Sequence, residues 1–249
     1  MIVLKSSREI EKMAEAGKIL AACHKEIAKR MKPGVTTWEI EEFVDGFLKK
    51  HGATPEQKGY RGYKYATCAS VNDEICHGFP RKEPLSQGDI VTIDMVVKYN
   101  GALADSAWTY AVGEVPDDIK QLLSVTKEAL YKGIEQVKAG NRIGDIGHAI
   151  QTYVESEGFS VVRDFIGHGI GAVIHEKPDI PHFGLPGKGA RLKEGMVFTI
   201  EPMVNMGQYH MKMDENGWTA RTADSSLSAQ YEHTIALTRE GPIILTNQD

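Results

Sequence analysis

Five side chains in this 249-residue sequence belong to types that ligate divalent metals and stand where strands should deliver them. Glu201 ends the apolar, β-branched and aromatic run VFTI (197–200) and is followed by Pro202, so it reads as a carboxylate leaving a buried strand. Burying that charge unpaired costs several kcal/mol or forces protonation, so the strand end is either solvated or faces a cation. Asp94 ends a similar run, IVTI (90–93). Asp105 follows across VVKYNGALAD, where Asn100-Gly101 between strand-like runs predicts a tight hairpin. Glu232 opens the strand pattern of YEHTIALT, and FIGHGIG offers His168 between glycines that permit close backbone approach. Two Asp, two Glu and one His without a thiolate suit Mn²⁺, Fe²⁺, Co²⁺ or Zn²⁺. Four carboxylates exceed what one divalent ion needs, and two metals sharing bridging carboxylates fit better. Taken singly, each residue has an ordinary reading, because an acid at a strand end is commonly solvated or caps a turn. Their order and combination carry the argument.

The elements that must position these residues repeat along the chain. MKPGVTTWEIEEFVDGFLKKHGA (31–53) lies on VKAGNRIGDIGHAIQTYVESEGF (137–159) without a gap, each reading as one amphipathic helix introduced by a K-x-G turn and stopped by Gly. Each is preceded by another helical pattern, over about 8–31 and 116–138. PLSQGDIVTIDMVV (84–97) lies on RLKEGMVFTIEPMV (191–204), which puts Asp94 on Glu201. Two related halves would each present one acid at a strand end, and a pseudo-two-fold arrangement would bring the two together. EVPDD (114–118) reads as a connection inside one domain, so residues 1–249 form a single domain with halves of about 1–112 and 113–249.

Composition excludes several other functions. Hydrophobic content of 41% and charged content of 25% are those of a globular protein, and a net charge of −5 gives no support for binding nucleic acid or an anionic membrane. MIVLKSSREIEKM has too short an apolar run for a signal or a span, so a cytoplasmic location is expected. Cys23, Cys68 and Cys76 read as small apolar fillers in a reducing compartment.

With VNDEICHG before it and GHGIGAVIHEKP within it, the ordered set Asp94, Asp105, His168, Glu201 and Glu232 resembles the bacterial type I methionine aminopeptidases, from Ser7 to the C-terminus. The resemblance implies the pita-bread fold, an α/β (α+β) architecture of pseudo-two-fold duplicated halves with a curved antiparallel sheet backed by helices. It implies that Asp94 and Asp105 hold one metal, and that Asp105 and Glu232 bridge to a second, which His168 and Glu201 complete. His77 and His175 are then the non-ligand histidines. A water shared by the metals becomes the hydroxide that attacks the scissile carbonyl, with Glu201 as general base, His175 stabilising the intermediate and His77 orienting the amide. The pocket positions implied are Tyr60, Tyr63, Cys68, Ile174 and Trp218, beside His77 and His175. Gln57 lies nearby. Many relatives carry Cys where this chain has Gln57, and Phe where it has Ile174. The family also implies a monovalent cation near Asn72 and Ser228, and as partners the N-termini of nascent chains with a small second residue, and the ribosome. A monomer is expected. Two other readings remain open: a proline-directed exopeptidase of the same fold, whose members usually carry an extra N-terminal domain, and an inactive peptide-binding relative, which would typically have lost ligands.

Overall fold

The computed structural model describes residues 1–248; Asp249, the last residue of the range assigned to the domain, lies outside the described residues. Helices form where apolar residues recur at helical spacing behind a cap. α1 (Ser7–Ala28) starts at Ser6, whose hydroxyl accepts from Glu9 N while the Glu9 carboxylate accepts from Ser6 N. α2 (Thr37–Lys50) repeats this box with Thr36 and Glu39. α3 (Asp117–Ile134) follows Pro116, and in α4 (Ile143–Ser156) Asp145 accepts from Arg142 N at 2.7 Å. α1 and α3 stop short of the predicted ends at 31 and 138. The cause after α3 is visible in Val137, which is fully buried although it lies beyond the helix, and after α1 in the half-buried Met31, which still packs on the core: the apolar period outlasts the helical hydrogen bonds. Beyond α2 and α4, Gly52 and Gly158 take φ of 69° and 85°, the left-handed conformation that closes a helix.

The first half carries β1 (Thr54–Pro55), β2 (Cys68–Val71), β3 (Glu74–Cys76), β4 (Ile90–Tyr99) and β5 (Ala102–Ala111). The second carries β6 (Ser160–Val161), β7 (Gly167–Gly169), β8 (Glu176–Ile180), β9 (Val197–Ile200), β10 (Met203–Asn205), β11 (Met211–Met213), β12 (Ala220–Thr222), β13 (Ser228–Gln230), β14 (His233–Thr238) and β15 (Gly241–Ile244). β4 and β5 form the predicted hairpin, with Asn100 and Gly101 at φ of 48° and 79°. All the pairings are antiparallel.

The two halves repeat one plan. β4 pairs with β5 and takes β1 and β2 on its other edge. In the second half the same strand is broken into β9 and β10. β9 pairs with β14 and β7, and β10 with β13 and β6. Isolated bridges close both halves alike, Thr36 to Pro84 and Arg142 to Arg191. Helices back each unit. Ile40, Val44 and Leu48 of α2 pack with Val91, Ile93 and Met95 of β4, while Ile146, Ile150 and Val154 of α4 pack with Phe198 and Ile200 of β9. Each such side chain contributes about 1.5–3 kcal/mol by leaving water.

The halves meet where β5 runs beside residues 230–234. Thr109 Oγ1 donates to Gln230 O at 2.7 Å and accepts from Gln230 N at 2.9 Å, and Glu232 N donates to Ala107 O at 2.9 Å. Thr234 Oγ1 donates to Asp105 O at 2.8 Å and accepts from Asp105 N at 3.0 Å. This seam sets Asp105 beside Glu232.

Candidate active site

Strand alternation aims the acids. Val96 lies opposite Asp105 and Asp94 opposite Ala107, so Asp94 and Asp105 are diagonal neighbours on one face of the hairpin. Glu201 leaves β9 onto the corresponding face, His168 sits on β7, and Glu232 crosses the seam from the start of β14. Gly167 and Gly169 flank His168 because side chains there would meet Thr199 O and Lys177 O, each at 2.5 Å from a Cβ.

The twelve positions named from the sequence as metal ligands, histidines or pocket residues line one cavity of about 210 Å³: Asp94, Asp105, His168, Glu201, Glu232, His77, His175, Tyr60, Tyr63, Cys68, Ile174 and Trp218. Gln57 joins them, whereas Asn72 and Ser228 are not among the residues that line it. Asp105, His168 and Glu232 each bring a ligand atom within 4.8 Å of the others. His168 Nε2 lies 3.6 Å from Asp105 Oδ2 and 3.7 Å from Glu201 Oε1. Among the described residues, Asp105 Oδ1 and Glu232 Oε1 are buried without a hydrogen-bond partner.

Burial, with mutual repulsion added, holds the carboxyls of Asp105, Glu201 and Glu232 above their usual range, and burial alone does so for Asp94. Burial pushes His168 and His77 down to about 4, leaving both imidazoles neutral at pH 7. Four acids, a neutral imidazole and orphaned carboxylate oxygens are a donor set that fits divalent cations and has little else to neutralise it.

Aromatic rings wall the cavity. Trp218 meets Tyr63 edge-on at 5.0 Å, and Phe165 meets His77 edge-on at 5.4 Å. Tyr63 Oη reaches the carbonyls of Thr67 and Gly78, both at 3.0 Å, which fixes its ring. His175 stacks on Tyr60 at 5.3 Å and meets His168 at 4.1 Å with the rings tilted by 46°, and its Nδ1 lies 3.0 Å from Tyr60 Oη.

Several residues that sequence reasoning missed complete the site. Thr199 Oγ1 donates to Glu201 Oε1 at 2.7 Å, and Gln230 Nε2 approaches Glu201 Oε2 at 3.4 Å. Gln230 carried a signal: it lies two residues before Glu232 and opposite Met203, as Asp105 lies opposite Val96, so it is the repeat partner of Asp105. Arg61, Cys76, Phe165, Ile166 and Met203 also line the cavity. Gln57, set apart in the sequence as a departure, donates to Asp94 O at 3.1 Å and accepts from Val96 N, bridging the gap on β4 between β1 and β2.

Residues 11–239 match the model of metallopeptidase family M24. The chain belongs to that family. It is 52% identical over 246 residues to methionine aminopeptidase 1 of Bacillus subtilis (strain 168), covering 99% of both chains. Its structure superposes on the crystal structure of methionine aminopeptidase from Rickettsia prowazekii with a TM-score of 0.98 at 45% identity, covering 99% of this chain and 100% of that one. The Xaa-Pro dipeptidase of Bacillus anthracis shares the fold at a TM-score of 0.79 and 25% identity, but this chain spans only 62% of its length. The expected pita-bread architecture is therefore the fold of this metallopeptidase. No helix among the described residues is long and apolar enough to cross a membrane.

Proposed function

We propose that the enzyme removes N-terminal methionine from peptides and nascent proteins whose second residue is small, using two divalent metal ions drawn from Mn, Fe, Co or Zn. The chain works as one catalytic domain and as a monomer in the cytoplasm, and the ribosome is where it meets its nascent substrates. A monovalent cation near Asn72 and Ser228 remains part of this proposal. The observation that carries the reading is the enclosure of four carboxylates and His168 in one cavity walled by aromatic rings, with Asp105 Oδ1 and Glu232 Oε1 buried there without a hydrogen-bond partner among the described residues.

Asp94 and Asp105 would hold one ion, and His168 and Glu201 the other, with Asp105 and Glu232 shared. When bound, the ions lower the pKa of a water toward neutrality and polarise the scissile carbonyl. Glu201 takes the proton of the attacking water, with its oxygens held by Thr199 and Gln230. His175 donates from Nε2 to the developing oxyanion. Tyr60 prepares it for this: when its hydroxyl donates to Nδ1, the ring proton sits on Nε2. His77 orients the amide on the leaving side. The substrate's α-ammonium is drawn to the acids, which selects chain ends. Tyr60, Tyr63, Cys68, Ile174 and Trp218 hold the methionine side chain, since aromatic rings and a neutral thiol suit a flexible thioether.

The test is residue release from peptides beginning Met-Ala, Met-Leu, Leu-Ala and Ala-Pro, with N-acetyl-Met-Ala as control. It uses metal-stripped enzyme reloaded with Mn²⁺, Fe²⁺, Co²⁺ or Zn²⁺ in turn. Metal-dependent release of Met from Met-Ala alone is expected. Cleavage of Ala-Pro would move the enzyme to the proline-directed group, and silence with every metal would refute the reading.

A further inference from the structure

The main chain of Glu201 is held in a way the repeat does not provide. In the first half β2 extends to Cys68, the register partner of Asp94, and β4 runs through unbroken. In the second half β7 pairs with β9 at Gly169 and Phe198 and ends at Gly167, so Ile166, which the register sets opposite Glu201, is outside the strand. Pro202 then stands where β4 has Met95 and offers no N–H of its own. The Glu201 amide has left the ladder inside a buried site, where an unpaired N–H is destabilising. It donates instead to Nε2 of His182, 3.1 Å away. His182 is fully buried and lies just past β8, the strand beyond β7 in the same sheet. A ring nitrogen that accepts carries no proton, so the His182 proton sits on Nδ1, which has no hydrogen-bond partner among the described residues.

We propose that His182 is a positioning residue: by accepting the Glu201 N–H it fixes the strand break after Ile200 and with it the direction in which Glu201 carries its carboxylate into the site. Thr199 and Gln230 then engage the carboxylate oxygens, so the amide and both oxygens of Glu201 are set by neighbours in the second half. This rests on the role of Glu201 as ligand and base.

The test uses the full-length enzyme loaded with Co²⁺, whose visible absorption reports ligand number and geometry. His182→Leu removes the acceptor, while His182→Gln supplies one through Oε1. The Leu variant is expected to lose about tenfold or more in kcat on a Met-Ala peptide with KM within about twofold, since a misplaced catalytic group costs rate more than binding. Its cobalt spectrum is expected to change, and the Gln variant to restore both. A wild-type spectrum and kcat in the Leu variant would overturn the proposal, as would equal losses in Leu and Gln. Nitrogen-15 NMR of the wild-type holoenzyme supplies a check that needs no variant to fold: His182 must carry its proton on Nδ1, and a proton on Nε2 would refute the contact. Glu201→Gln is assayed alongside. Full turnover there would sink the general-base role, while the cobalt spectra of the His182 variants would still decide the positioning role.

Discussion

Removing the Glu41 carboxylate should loosen the pocket wall without touching the acids. Glu41 projects from α2 and is buried; its Oε1 accepts from Ala66 N at 2.7 Å, and its Oε2 accepts from Thr67 N at 2.9 Å and Thr67 Oγ1 at 2.7 Å. These bonds pin the segment between Tyr63 and Cys68. Glu41→Ala strands two buried amides and a hydroxyl. At about 1–3 kcal/mol for each stranded group, and with the hydroxyl free to rotate toward another acceptor, the loss should be about 3–5 kcal/mol. Glu41→Gln keeps one oxygen, which can retain both Thr67 bonds while its NH₂ opposes Ala66 N. It should therefore cost only about 1–2 kcal/mol. Urea unfolding of the metal-stripped protein, followed by circular dichroism, reads both as shifts of midpoint at constant slope. KM for a Met-Ala peptide should rise in the Ala variant more than kcat falls. A loss below about 1 kcal/mol for Ala, or equal losses for Ala and Gln, would refute the hydrogen-bond accounting.

Two further outcomes are expected. His175→Ala should lower kcat about 10²–10³-fold with little change in KM, because the oxyanion exists only beyond the ground state; steady-state kinetics on the same peptide would read it, and an unchanged kcat would contradict the role. Burial lowers His24 from 6.5 to about 4, so between those values the unfolded chain takes up a proton that the folded one refuses. Stability from neutral His24 is full above pH 6.5 and is lost as the pH falls toward 4, by roughly 3 kcal/mol. The advantage of wild type over His24→Gln in urea unfolding should therefore shrink across that window; a constant difference would contradict the shift.

How far the sequence revealed this enzyme depended on how each residue acts. The stops of α2 and α4 were legible because Gly52 and Gly158 are needed for left-handed backbone, and the hairpin was legible in Asn100-Gly101 for the same reason. The ends of α1 and α3 were not, because Met31 and Val137 still pack on the core after each helix has ended. Acids that follow apolar runs are conspicuous, so Asp94 and Glu201 stood out and their repeat relation could be seen, but only Glu201 stands at a strand end: β4 continues past Asp94 to Tyr99 because the hairpin with β5 keeps it paired. Gln230 was within reach only through its repeat relation to Asp105, and Thr199 reads as an ordinary residue of an apolar strand. His182 is neutral and meets the Glu201 amide only through folding, a contact that leaves no spacing in the chain. Gln57 was noticed as unusual, yet its bridge to both sides of Met95 on β4 depends on the gap between β1 and β2, which no pattern announces.

The seam between the halves has a mechanical consequence. Asp94 and Asp105 come from one side of it, His168, Glu201 and Glu232 from the other, and like charges across a joint push it open. The hydrogen bonds between β5 and residues 230–234, most of them made by the hydroxyls of Thr109 and Thr234, resist that push. A cation set among the acids reverses its sign and works as a rivet, so whatever fills the site also fastens the two halves of the enzyme together.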